Sequence, residues 1–176
     1  MILDFFKIAL KLKTVKRQGW IDKLSIMNPE SVADHTFSMA IIGMILADNA
    51  DYDAEKILKM ILLHDLAESI TGDLTPDKID KDEKILLENK TFENILNNLP
   101  KILQKQYLQI WNEYQENKSK DSKFVHQIDK LELALQAEIY SKKNISKKNI
   151  LPFFESAQKE ISDPNLLKLF KQLTNN

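Results

Sequence analysis

The stretch that decides the fold is LLHDLAE, residues 62–68, which sets a polar pair inside an apolar segment. The pair is His64 and Asp65, an imidazole next to a carboxylate. If residues 58–68 are helical, His64, Asp65 and Glu68 share one face, because residues three and four apart are neighbours on a helix. A buried carboxylate without a partner costs several kcal/mol, so buried charges are normally paired or bind a metal. We therefore expect a divalent cation at this face.

Two more residues, His35 and Asp129, have the same polar character on an apolar background. On a helix, His35 would share a face with Val32 and Met39, so its ring would point inward. Asp129 lies beside the apolar stripe that includes Ile128. Taken singly, a histidine such as His35 is more often a hydrogen-bonded core residue than a ligand, and an aspartate such as Asp129 is usually a capping or ion-paired residue. The two readings of each residue stay open until the residues are considered together.

Taken together, His35, His64, Asp65 and Asp129 form a candidate set of ligands for one divalent metal ion. Four such residues on apolar faces are harder to attribute to chance than one. Mixed imidazole and carboxylate ligands favour Mn, Co, Fe, Ni or Zn over Ca or Mg. The third histidine of the chain, His126, is expected to lie outside this set.

The order of these four residues on a helical background resembles the signature of the HD-domain metal-dependent phosphohydrolases. The likeness extends over about residues 16–140 and is similar to the 5′-deoxynucleotidase branch of that family. Five segments carry it: KRQGW at 16–20, PESVADH at 29–35, HDLAE at 64–68, GD at 72–73 and DKLE at 129–132.

This resemblance implies an all-α helical bundle that hydrolyses deoxynucleoside 5′-monophosphates to deoxynucleosides and phosphate. The water would be activated by the metal, so no covalent intermediate is required. Glu68 would orient or deprotonate the water, whereas an isolated glutamate at a helix end is usually on the surface. Asp73 would assist the leaving 5′-oxygen or position the phosphate; the alternative is a residue that stabilises the turn.

Two residues of the KRQGW segment are expected to bind substrate. Arg17 offers planar paired donors that match a phosphate, although an arginine beside a helix end can also lie on the surface. In the family, the residue at Trp20 is expected to crowd a 2′-hydroxyl and so to favour deoxyribose; from the sequence alone, a core tryptophan is the other reading. The resemblance also implies a homodimer, with the first helix or residues 111–114 as contact.

Other activities of this superfamily are alternatives. Hydrolases of guanosine tetraphosphate carry a Glu-Asp pair, but Ser69 follows Glu68 here. Two-metal phosphodiesterases of cyclic nucleotides need further histidines, and triphosphate hydrolases are normally longer. A non-catalytic nucleotide sensor or a helical interaction module is the alternative from another class.

Composition limits the remaining classes. The chain has 176 residues, a net charge of −1 and no cysteine. We expect no global basic field for nucleic acid, no disulfide framework and no thiolate metal site. The longest apolar run, residues 39–47, is too short to cross a membrane, and the beginning of the sequence does not resemble a signal peptide. A cytoplasmic protein is expected.

Apolar spacing and turn residues predict helices nearly throughout, in one domain that spans residues 1–176. Residues 141–176 would supply closing helices. The predicted helices cover residues 2–16, 29–49, 54–68, 81–97, 100–116, 119–142, 152–161 and 165–173.

Overall fold

The structure of the chain is a computed structural model that describes residues 1–142 and 145–174. Most of these residues are helical, and the β-type pairing found among them is an isolated bridge between Lys16 and Ser31. The prediction of an all-α fold is therefore confirmed. The α-helices are α1 (Ile2–Leu10), α2 (Gln18–Leu24), α3 (Val32–Asp48), α4 (Ala54–His64), α5 (Glu68–Thr71), α6 (Lys81–Leu96), α7 (Lys101–Glu116), α8 (Lys120–Ser141), α9 (Lys147–Glu160) and α10 (Pro164–Thr174).

Helix α3 begins at Val32, a few residues later than predicted, because a capping box sets its start. The Ser31 hydroxyl accepts from the backbone N–H of Asp34 at 3.2 Å, and the Asp34 carboxylate accepts from the N–H of Ser31 at 2.8 Å. These two bonds satisfy backbone donors that the first turn of a helix leaves free. They fix the start of α3, whose first turn carries the buried His35.

Helix α2 lies where the sequence predicted a loop. Its first backbone N–H, on Gln18, donates to the carboxylate of Asp73 at 2.7 Å. Asp73 therefore caps this helix from 55 residues away in the sequence, and a cap of that kind leaves no local signal. The preceding residues are extended rather than helical, because the N–H of Arg17 donates to the carbonyl of Glu30 at 3.1 Å. The predicted first helix accordingly stops at Leu10 and continues only as a 3-10 turn over Lys11–Lys13.

Helix α4 ends at His64, so the prediction of one continuous helix to Glu68 was wrong. Asp65 has φ −109° and ψ 12°, outside helical values. The next backbone bonds are tight: the N–H of Leu66 donates to Leu63 and that of Glu68 donates to Asp65, each at 3.0 Å. This short turn connects α4 to α5. It brings the carboxylates of Asp65 and Glu68 to the same side of the structure, which the sequence had predicted from a continuous helix.

The helices enclose one main apolar core and one smaller cluster. Helix α3 packs against both α4 and α8, and α7 and α10 complete the surroundings of the main core. The smaller cluster joins α2 to α8 and α9 through Trp20, Tyr140 and Phe153. None of the described helices is both long and apolar enough to cross a membrane.

Close packing of α3 on α4 depends on Gly43. A Cβ atom at this position would clash with Cδ1 of Ile61 and would lie 3.5 Å from side-chain atoms of Ile57 and Ile128. The absent side chain therefore lets the two helices that carry His35 and His64 approach each other.

We predict that Gly43→Val lowers the free energy of unfolding by roughly 1–3 kcal/mol, because overpacking a filled core forces its neighbours to move. Urea denaturation measures this. Met44→Val is the matched control on the same helix, because Met44 is 38% exposed. Equal stability of the two variants would show that the close approach at Gly43 is unimportant.

Candidate active site

The structure brings together the side chains of His35, His64, Asp65 and Asp129. His35 comes from α3 and His64 from the last position of α4, while Asp65 follows in the turn and Asp129 lies in the middle of α8. Ligand atoms of His35, His64 and Asp129 all lie within 4.8 Å of one another. Oδ2 of Asp65 lies 3.0 Å from Nε2 of His64 and 4.0 Å from Nε2 of His35. Four side chains from three helices and one turn thus surround a common point.

The atoms at this point lack ordinary partners. Among the described residues, the buried side-chain nitrogen and oxygen atoms without a hydrogen bond are Nε2 of His35, Nε2 of His64, Oδ2 of Asp65 and Oε2 of Glu68. Some of them are close to each other, but they are not aligned as donor and acceptor. Buried polar atoms in native proteins are nearly always satisfied, and exceptions call for an explanation such as an ion. The donor set therefore fits a metal cation.

The far nitrogen of each histidine ring is fixed by a hydrogen bond. Nδ1 of His64 donates to the carbonyl of Ile61 at 2.6 Å, and Nδ1 of His35 donates to Oε2 of Glu132 at 2.6 Å. A carbonyl and a carboxylate can only accept, so Nδ1 of each ring carries a hydrogen, and each ring in its neutral form would present the lone pair of Nε2 to the common point. Metal-binding histidines are typically oriented in this way.

Glu132 is a candidate site residue whose partner the sequence left open. It is 3% exposed and lies one helical turn after Asp129, so both side chains reach the same region from α8. Its partner is His35 rather than Lys130, which lies 3.2 Å from Asp129. The i, i+3 spacing from a candidate ligand was the signal in the sequence.

Arg17 lies inside the site and not on the surface. Its guanidinium is 3.5 Å from Asp65 and 4.0 Å from Asp129, and its side chain is 16% exposed. Burial opposes ionisation of both carboxylates, but His64 and Arg17 hold the pKa of Asp65 well below its usual value. Lys130, His35 and Arg17 do the same for the pKa of Asp129. Both candidate ligands are therefore anionic.

The same negative charge acts on His35. Burial and Arg17 disfavour its protonated form, but the contacts with Asp129 and Glu132 outweigh them and raise its pKa to about 9. A site that holds a proton this firmly attracts positive charge, and a metal ion would take the place of that proton.

Glu68 begins α5 and is 2% exposed. Burial and the charges of Asp65 and Asp73 raise its pKa well above the usual value, whereas Arg17 and Lys84 act in the opposite direction. It lies beside the candidate ligands although the helix is broken between them. A carboxylate that holds a proton more readily than usual suits exchange of a proton with water.

Asp73 and Trp20 have structural contacts as well as places at the cavity wall. One oxygen of Asp73 caps α2, as described above. Trp20 is 1% exposed, stacks on Phe153 at 4.4 Å and donates from Nε1 to Glu30 at 2.8 Å. It is therefore a core tryptophan, and it can influence a ligand only through the edge that it presents to the cavity.

His126 lies at the same cavity but points its Nε2 elsewhere. This nitrogen donates to the backbone carbonyl of Tyr114 at 3.0 Å, and the two rings stack at 4.1 Å. Among the described residues, neither group of side chains close enough together to share a metal ion includes His126.

A cavity of about 590 Å³ opens in front of these groups. This volume lies within the usual range for small-molecule sites, which is about 300–1,000 Å³. Its wall combines carboxylates and cations with apolar surface from α2, α6, α8 and α9. The residues that line this cavity include Arg17, Trp20, His64, Asp65, Glu68, Asp73, Lys84 and Asp129.

Residues 9–168 match the family model described as HD domain. The chain belongs to the HD-domain family. It is 41% identical over 182 residues to the 5′-deoxynucleotidase HDDC2 of Dictyostelium discoideum, covering 97% of this chain and 93% of that protein. It is 33% identical over 173 residues to the HDDC2 protein of Homo sapiens, covering 98% and 84%. A conserved hypothetical protein from Pyrococcus furiosus has the same fold, with a TM-score of 0.80, 28% identity and 99% coverage of both chains.

Membership of the HD-domain family agrees with the chemistry of the unpaired atoms. A hydrolase of this family implies a divalent metal, and two imidazole nitrogens with ionised carboxylates are suitable ligands.

We predict that Asp65→Asn abolishes stoichiometric metal binding while the protein stays folded. Elemental analysis after dialysis against metal measures this, and circular dichroism checks the fold. His126→Gln is the matched control and should retain the metal, because His126 lies in neither of the described groups of side chains that could share an ion. Chelation should lower the melting temperature of the parent protein but not that of Asp65→Asn, because a ligand stabilises only a state that binds it. Full metal content in folded Asp65→Asn would contradict the assignment.

Proposed function

We propose that this HD-domain protein is a metal-dependent 5′-deoxynucleotidase, which hydrolyses deoxynucleoside 5′-monophosphates to deoxynucleosides and phosphate. The observation that carries the proposal is the cluster of unpaired buried atoms beside Arg17 at the wall of a nucleotide-sized cavity. The cluster would bind the metal, Arg17 would bind the phosphate, and the cavity would hold the nucleoside. The names of the relatives in Dictyostelium discoideum and Homo sapiens support the same activity.

The metal in this proposal is one divalent ion, Mn, Co, Fe, Ni or Zn, held by His35, His64, Asp65 and Asp129. Such an ion lowers the pKa of a water and neutralises charge on phosphate. Glu132 and the carbonyl of Ile61 keep the two imidazoles directed at it. A preformed site of this kind does not need to be reorganised when substrate binds.

Three residues would act on the substrate in this proposal. Glu68 accepts a proton from the attacking water as the new phosphorus–oxygen bond forms and the bond to the 5′-oxygen breaks. The 5′-oxygen would leave with the proton that Glu68 took from the water, and Asp73, in the loop after α5, would assist this transfer. Arg17 holds the phosphate through charge-assisted hydrogen bonds, for which its planar donors are suited.

Discrimination between deoxyribose and ribose is assigned to Trp20. Because this residue is packed against Phe153 and bonded to Glu30, its edge forms a rigid part of the wall. A rigid wall can exclude an added hydroxyl by shape.

We also propose a single domain over residues 1–176, a cytoplasmic location and a homodimer. Within residues 111–114, Trp111 is 1% exposed, so its own side chain is not available for a dimer contact. Helix α1 remains a candidate surface, and α3 adds another because Phe37, Ile41 and Ile45 are 68%, 41% and 51% exposed. Exposed apolar side chains along one helix are a common feature of subunit interfaces.

The proposed activity predicts phosphate release from deoxynucleoside 5′-monophosphates by the metal-loaded protein. The 5′-ribonucleotides should be poorer substrates, and 3′-monophosphates should be poorer still, because their phosphorus would lie away from the metal. A panel of both series, with and without chelator, measures this. Hydrolysis of guanosine tetraphosphate or a cyclic dinucleotide, together with no reaction on 5′-deoxynucleotides, would overturn the substrate class. Binding of nucleotides without any turnover would indicate a sensor.

The role of Glu68 predicts that Glu68→Gln retains metal and still binds a deoxynucleotide, while kcat falls on the order of a hundredfold or more. The amide keeps the shape of the side chain but cannot accept the proton. Glu83→Gln, on exposed surface of α6, is the matched control and should be unaffected. Turnover of Glu68→Gln close to that of the parent would assign the proton to another group.

A further inference from the structure

Lys84 connects the proposed proton acceptor to a neighbouring helix. It lies in the first turn of α6, and its side chain is 28% exposed at the cavity wall. Its Nζ is 3.5 Å from Oε1 of Glu68 and 3.4 Å from Oε1 of Glu88. Glu88 is one turn further along α6, so it anchors the lysine at the i, i+4 spacing that favours such pairs. The cation is therefore held between two carboxylates of the same cavity.

The two oxygens of Glu68 differ in their surroundings. Oε1 faces Lys84, whereas Oε2 is buried without a hydrogen bond to any described residue. Within the described residues, Lys84 is also the cation found within 4.0 Å of Glu68, since Arg17 makes its close contacts with Asp65 and Asp129. Among the described residues, the ion pair that acts on the Glu68 carboxylate is therefore the one that Lys84 makes with Oε1.

The distances show what kind of contact this is. Both exceed 3.2 Å, the upper limit of a usual N–H to O hydrogen bond, so the attraction is mainly electrostatic. Such a contact directs the carboxylate without using up the acceptor capacity of either oxygen. Because Glu68 is almost fully buried, one nearby charge has a larger effect on it than it would at the surface.

We propose that Lys84 is a positioning residue that holds Oε1 of Glu68, so that Oε2 is presented to the attacking water. This inference rests on the proposed function and deepens it by adding a residue that acts through Glu68. Helix α6 would then affect the reaction indirectly. Its first turn fixes the position of Lys84, and its next turn supplies Glu88, which pairs with this lysine. The alternative role for Lys84 is direct contact with the substrate phosphate. The two roles predict different effects of a Lys84 substitution on kcat and KM.

A double-mutant cycle separates the two readings. Lys84→Met should lower kcat on the order of tenfold with little change in KM, because coupled neighbours interact and a misplaced acceptor slows the chemical step. In a Glu68→Gln background the same substitution should have almost no further effect. Lys84→Arg should restore most of the loss, because it returns a cation. Lys90→Met, on exposed surface of α6 and away from the cavity lining, is the matched control and should match the parent.

A second readout does not depend on activity. The rate at which an amine-acylating reagent modifies Lys84, followed by mass spectrometry, should rise severalfold in Glu68→Gln, while the rate at Lys90 stays constant. An equal rate at Lys84 in both proteins would show that no ion pair holds Glu68.

The inference is also overturned if Lys84→Met raises KM at constant kcat, or if its kcat loss is the same with and without Glu68. If the parent protein hydrolyses no deoxynucleotide, the proposed function fails, and the labelling rates still decide whether Lys84 holds Glu68.

Discussion

Two imidazole nitrogens and a carboxylate oxygen, on His35, His64 and Asp65, are buried without a hydrogen bond, and this constraint governs the rest of the structure. Leaving a buried polar atom unsatisfied typically costs about 1–3 kcal/mol, and more when it is charged. A fold that keeps several such atoms at one point needs a compensating interaction there, which a divalent cation supplies. The packing of α3, α4 and α8 then has a second purpose, because it holds the ligands at fixed positions.

The surroundings of the cluster strengthen this interpretation. Glu132 and the carbonyl of Ile61 orient the rings from behind, and Arg17 offsets the charge of Asp65 and Asp129 from the cavity side. Arg17 is in turn fixed at the base of α2, which Asp73 caps across the cavity. The loop after α5 and the segment before α2 therefore support each other. A change in either segment would therefore alter the position of Arg17, which is proposed to bind the phosphate.

The sequence was sufficient for the helical class and for bringing His35, His64, Asp65 and Asp129 into one hypothesis, because polar residues on apolar faces are visible in a linear pattern. It was not sufficient for α2 or for the break after His64. The cap on Gln18 comes from Asp73, and the tight turn at Asp65 depends on tertiary packing that overrides helical spacing. Lys84 was also missed, since its partner Glu68 lies on another helix and only the fold shows their proximity.

The central claim is that one cation binds at the point shared by His35, His64, Asp65 and Asp129. A second group, formed by Glu30, His35 and Glu132, also has its ligand atoms within 4.8 Å and is the internal rival. The most direct measurement is an anomalous-difference map from crystals of the manganese- or zinc-loaded protein. The account predicts one strong peak at about 2.0–2.2 Å from Nε2 of both histidines. A peak between Glu30 and Glu132, on the Nδ1 side of His35, would contradict it.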